Sequence, residues 1–81
     1  MNKTDLDTCR HSKIPVTIKG LTNAQSYCVA DYYSEGHSFI ARLLPCHVDY
    51  HGKAVGVNRD EVIATNIYDL NMIHIEDYNN Y

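Results

Sequence analysis

The sequence predicts a small, mostly β domain: a barrel of five or six short strands behind a short N-terminal helix or arm. Three observations predict it. Apolar and polar residues alternate at Ile14, Val16 and Ile18 and again at Ile73 and Ile75, the period of a half-buried strand. Runs rich in Val, Ile and Tyr are separated by turn signals at short, even spacing. At 81 residues there is room for one core and one domain. At this size, closure into a barrel is the natural way to leave no sheet edge exposed.

Residues 1–12 are polar. Thr4 followed by Asp7 reads as a helix start, and a turn or two through Leu6 and Cys9 is too short to stand without packing on something. Ile14 to Ile18 form the first strand, with Pro15 near its start, where a missing N–H is tolerated. Gly20 to Asn23 turn the chain. Residues 25–33 carry two conflicting signals. Thr22 and Gln25 could cap a helix, whereas Tyr27, Val29, Tyr32 and Tyr33 favour a strand. The strand reading is adopted, with Ser34-Glu35-Gly36-His37 as a hairpin turn leading to Phe39, Ile40, Leu43 and Leu44.

Pro45 is expected to end or kink that second strand. His51-Gly52 marks a turn, and Gly56, after Ala54 and Val55, suggests a bulge or a close backbone approach. Asn58 to Glu61 read as a turn or a single turn of 3₁₀ helix. Val62 to Tyr68 are β-rich, Asp69 to Asn71 turn the chain again, and Met72 to Glu76 alternate. The expected limits are 1–12 for the arm, 13–76 for the barrel and 77–81 for a frayed tail. The expected core is Ile14, Val16, Ile18, Val29, Phe39, Ile40, Leu43, Val55, Val57, Val62, Ile63, Ile67, Ile73 and Ile75.

This order of elements resembles the small barrels of the Sm and SH3 type. Val57-Asn58-Arg59-Asp60-Glu61-Val62-Ile63 is similar to their short 3₁₀ link before a late strand. Within that group the chain resembles the Rof-type inhibitors of the transcription terminator Rho, which are acidic and similar in length, with a short helix before the barrel. The likeness is one of pattern over roughly residues 4–68, and Pro45-Cys46-His47 has no counterpart in it. It implies a protein-binding regulator, and no functional residue is carried over from it.

Charge narrows the function further. Residues 1–59 hold all seven Lys and Arg against five acids, a balance of +2. Residues 60–81 hold five acids and no Lys or Arg, which brings the chain to −3. Phosphate contacts need cations, so direct binding of nucleic acid is not expected. An acidic end suits the basic surface of a nucleic-acid-binding protein; the alternative is a solubilising tail. Seven tyrosines and no tryptophan supply amphipathic rings that serve equally at a core edge or an interface. The expected contacts are Tyr32, Tyr33, Asp60, Glu61, Asp69, Glu76, Asp77 and Tyr78, with tyrosine as anchor and carboxylates steering.

Other chemistries are weaker. Cys9, His11, Cys46 and His51 are the candidate zinc ligands, but Cys-x-His is an unusual spacing and there is no Cys-x-x-Cys. A Cys–His nucleophile pair lacks any orienting group that the sequence fixes. The four glycines are scattered singly, unlike a phosphate loop. An RNA-stacking surface would draw on Tyr32, Tyr33, Arg42, Lys53 and Arg59, cations too dispersed to form a basic cluster. The expectation is therefore a non-enzymatic protein without cofactor. With three cysteines, no secretory leader and no membrane span, the expected setting is the cytoplasm.

Overall fold

A computed structural model describes residues 1–20 and 25–73. Helix α1 spans Lys3–Ser12. Its cap is Asn2, two residues before the expected Thr4 and a better capping residue. The Asn2 side chain accepts from the Asp5 N–H at 2.8 Å, and the Asp5 carboxylate accepts from the Asn2 N–H at 3.4 Å. Lys13, left-handed at φ 55°, ends the helix. Leu6 and Cys9, three apart and so on one face, are buried and dock the helix on the sheet.

Six strands follow: β1 Val16–Ile18, β2 Ser26–Glu35, β3 Ser38–Val48, β4 Ala54–Val55, β5 Ile63–Asn66 and β6 Leu70–Met72. All pairings are antiparallel. The β2–β3 hairpin is the spine. It closes at Glu35↔Ser38 over a two-residue turn, with Gly36 at φ 62° supplying the backbone that a tight hairpin requires. Of residues 25–33, those from Ser26 onward are thus strand, as adopted. A bulge between Val29 and Asp31 shifts the register and changes which side chains face inward. Along its other edge β3 pairs first with β5 (Leu43↔Ile63 to Ile40↔Asn66) and further on with β4 (His47↔Val55).

Pro45 does not end β3, contrary to expectation. Its carbonyl accepts from the Asn58 N–H at 2.8 Å, so its nitrogen also faces away from β2. That side of β3 lies between the β5 and β4 ladders, where no strand needs a donor.

The 3₁₀ turn also lies elsewhere than expected. It spans Ile67–Asp69, after β5, and the Asn66 side chain caps it by accepting from the Tyr68 N–H at 2.9 Å. Asn58 to Glu61 contain a plain turn. The 3₁₀ turn carries the chain from the edge of β3 to that of β1, where β6 pairs at Val16↔Met72 and Ile18↔Leu70. Because it places β5 and β6 on different neighbours, the sheet is open among the described residues, ordered β4-β3-β2-β1-β6 with β5 also on β3.

The core joins Leu6, Cys9, Ile14, Val16, Tyr27, Val29, Ala41, Leu43, Ile67 and Leu70, flanked by half-buried Ile18, Tyr32, Phe39 and Ile63. Val55 and Val62 do not belong to it, being 41% and 59% exposed. Strand alternation turns Val55 of β4 outward, while Val62 lies in the loop just before β5. Val57, Ile40 and Ile73 are half-buried, and Ile75 lies outside the described residues.

Candidate functional site

The loop from 56 to 62 is fastened to β3, and a concavity lies between them. Asn58 donates its N–H to the Pro45 carbonyl, and its side-chain oxygen accepts from the Asp60 N–H at 3.0 Å. This Asx turn holds the next two residues outward, and Asp60 and Glu61 are both exposed. Between loop and strand lies a cleft of about 230 Å³ lined by Gln25, Pro45, Cys46, His47, Gly56, Asn58 and Glu61. The Gln25 side-chain amide donates to the carbonyls of Ser26 and Cys46, both at 3.0 Å, and so ties the entry to β2 to the end of β3. Gly56 (φ 61°) sits against the His47 imidazole; a Cβ there would stand 3.1 Å from its Cδ2. The close backbone approach that Gly56 signalled is therefore present, and it forms one wall of the cleft.

Among the described residues Glu61 is the one acidic residue that lines the cleft, and no Lys or Arg lines it. Arg59, the cation on the same loop, lies close enough to Cys28 to favour its thiolate. Burial outweighs that effect and raises the Cys28 thiol overall. Cys46 and His47 both border the cleft, but they do not form an activated pair. Burial pushes the Cys46 thiol up to about 11, which leaves roughly one thiol in ten thousand ionised at pH 7. The structure does not gather Cys9, His11, Cys46 and His51. Among the described residues no three His, Cys, Asp or Glu side chains meet in a way that could hold a metal ion. Cys9 and Cys46 are buried instead, while His11 and His51 are exposed.

The buried thiols have a consequence for stability. Burial first, then neighbouring Asp5 and Cys28, pushes Cys9 up to about 11 as well. The unfolded chain therefore loses these protons before the folded one does. Stability should be unaffected by them below pH 9.0 and should fall as pH rises from there towards about 11. Urea midpoints measured across that range should decline, and the double substitution Cys9→Ala, Cys46→Ala should remove most of the decline. A flat or rising midpoint in the parent protein would contradict the burial of these thiols.

The tyrosines are divided by the bulge in β2. Tyr32 is turned inward, its hydroxyl donating to Asp7 of α1 at 2.7 Å, its ring edge-on to Phe39 and beneath Arg10. The hydrogen bond to Asp7 raises its phenol above the ordinary value of 10.0. Tyr32 thus fastens helix to sheet and is not an exposed anchor. Tyr33 faces outward, 40% exposed, under the Arg42 guanidinium. Arg42 itself grips Asp31 with two hydrogen bonds of 2.6 and 2.9 Å. Lys53 donates to the Ser12 carbonyl at the end of α1, and Lys19 to the Tyr68 carbonyl.

The chain matches no known family. Searches of curated proteins and of solved structures likewise return no match. The site therefore rests on geometry. Of the expected contacts, Asp60 and Glu61 stand together beside the cleft, and Tyr33 lies on the outer face of β2. Asp69 lies at the far end of β5, where its carbonyl accepts from the Lys19 N–H at 2.7 Å. Glu76, Asp77 and Tyr78 lie outside the described residues.

Sequence reading missed two exposed aromatics. Tyr68, 59% exposed, neighbours Asp69. Tyr50, 80% exposed, lies against His51 with ring centres 4.0 Å apart, on a turn that Asp49 stiffens by accepting from the N–H groups of His51 and Lys53. The His51-Gly52 turn signal was the available clue. Among the described residues no helix is long and apolar enough to cross a membrane.

Proposed function

We propose that this chain is a cytoplasmic, non-catalytic regulator that works by binding another protein, a basic nucleic-acid-binding factor such as a repressor or termination factor. One observation carries the reading. Asp60 and Glu61 project from a pinned loop with no ion-pair partner among the described residues, where the one ion pair is Asp31–Arg42. Three of the cations, by contrast, are engaged internally: Arg42 by Asp31, Lys19 and Lys53 by backbone carbonyls. Of these only Arg42 loses its charge, to Asp31, since a carbonyl leaves a lysine cationic; the net charge of −3 supplies the anionic bias that electrostatic steering towards a basic partner requires. The exposed rings of Tyr33, Tyr50 and Tyr68 offer anchors of the type that concentrates binding energy. The reading draws on the resemblance of the sequence pattern to the Rof-type inhibitors, although residues 57–63, where that pattern has a 3₁₀ link, hold a plain turn. On this reading the regulator engages its partner directly and does not bind free nucleic acid.

The test is affinity capture from the native host with mass identification, performed with and without nuclease. The expected result is one nucleic-acid-binding protein retained in both conditions and released by salt. Retention of RNA in place of a protein would replace this reading with an RNA-binding module. Turnover of a small molecule by the purified chain would overturn it.

A further inference from the structure

The cleft beside Glu61 has a shape and chemistry that select its occupant. Its volume of about 230 Å³ falls below the roughly 300–1,000 Å³ of clefts that enclose a drug-sized ligand. It suits one long side chain and is too small to enclose a nucleotide or a large cofactor. Among the described residues the lining combines the amides of Gln25 and Asn58 with an apolar stretch, a flat ring and a single acidic residue. Pro45 and the protonated thiol of Cys46 supply the apolar stretch. The His47 imidazole, backed by Gly56, supplies the flat wall. Glu61 supplies the charge, with no cation beside it among the described lining residues.

An anionic group would meet that carboxylate unpaired, and a purely apolar one would desolvate it without compensation. A basic side chain answers all three features, with an aliphatic stem for the apolar stretch and a cationic head for the carboxylate. Between the two basic types, a guanidinium is the better match. Its plane stacks on a ring and its paired N–H groups match a carboxylate, whereas a lysine ammonium is a compact, strongly hydrated point charge.

We propose that the cleft between β3 and the loop before β5 is a receptor for an arginine side chain presented by the protein partner. This rests on the binding function proposed above and gives it a point of specificity: surrounding carboxylates steer, and Glu61 with His47 reads one arginine.

The test is a titration of the full chain with Nα-acetyl-arginine-methylamide, followed by amide NMR shifts. Saturable shifts are expected at His47, Gly56, Asn58 and Glu61, with the matching lysine derivative weaker and the citrulline derivative, isosteric but neutral, silent. Glu61→Gln, on an exposed loop, should keep the amide spectrum of the folded chain and weaken the arginine derivative about ten-fold or more, the loss of one charge-assisted contact. Equal shifts with citrulline, shifts outside the cleft, or indifference to Glu61→Gln would each overturn the proposal. Free arginine binding as tightly as the blocked form would assign the cleft to a small guanidino metabolite instead. The two readings fail separately. If the blocked arginine ignores the cleft while partner capture still depends on Asp60, only the receptor is lost. If the cleft fills but capture is indifferent to surface charge, only the proposed function is lost.

Discussion

Replacing Asp60, Glu61 and Asp69 together by lysine is expected to weaken partner binding by roughly a hundred-fold while leaving the fold intact. The three reversals move the net charge from −3 to +3, so the long-range attraction to a basic surface becomes repulsion. Exposed interface charges act mainly on the association rate, and each tenfold loss corresponds to about 1.4 kcal/mol. A hundred-fold total therefore asks under about 1 kcal/mol of each position, within the reach of rim contacts. All three side chains are exposed and none forms an ion pair among the described residues. Their replacement should shift stability by no more than about 0.5 kcal/mol each. Rapid-mixing kinetics with the captured partner should show the share of Asp60 and Asp69 in the association rate, and that of Glu61, the close contact inferred above, in dissociation as well. A loss confined to dissociation would mean that these carboxylates make close contacts and do not steer.

The largest effect on stability is expected from Leu43→Ala. Leu43 is 0% exposed, sits in the middle of β3, and pairs with Val29 on one side and Ile63 on the other. Truncation removes buried methyl groups and leaves a cavity that two ladders hold open, at a cost of about 2–5 kcal/mol. At roughly 0.05–0.15 kcal/mol per residue, a chain of 81 residues has only about 4–12 kcal/mol in total. The variant should therefore show a much lower urea midpoint and could be unfolded at 37 °C. Val62→Ala is the control. At 59% exposed, it should cost no more than about 0.5 kcal/mol. Equal effects at the two positions would contradict the inward assignment of Leu43.

Features that depend on neighbours in sequence were legible before the structure, and those that depend on neighbours in space were not. The alternation of Ile14, Val16 and Ile18 made β1 legible, and Ser34 to His37 between β-favouring runs made the central hairpin legible. Pro45 was misread because a missing N–H matters only where a strand needs it, and which strands flank β3 is a tertiary fact. Tyr32 and Tyr33 look equivalent in sequence. A one-residue bulge before Asp31 turns the first towards Asp7 and leaves the second exposed. The outward sense of Val55 depends on register in the same way, and that of Val62 on its place in the loop before β5.

At the site, Gly56 announced a close approach and Asp60-Glu61 an exposed acidic pair. Only the Asn58–Pro45 hydrogen bond, which ties the loop to β3, turns these into a cleft. The cysteines and histidines, which spacing alone offered as metal ligands, are separated by burial: Cys9 and Cys46 inside, His11 and His51 outside.

The most direct measurement is partner affinity as a function of ionic strength, from about 50 to about 200 mM salt, where screening of exposed charges grows. If an unneutralised anionic surface is what the partner reads, affinity falls steeply with salt for the parent chain and much less for the triple lysine variant. An affinity that holds constant across the series in the parent chain would mean that the carboxylates are bystanders and that recognition lies elsewhere on the molecule.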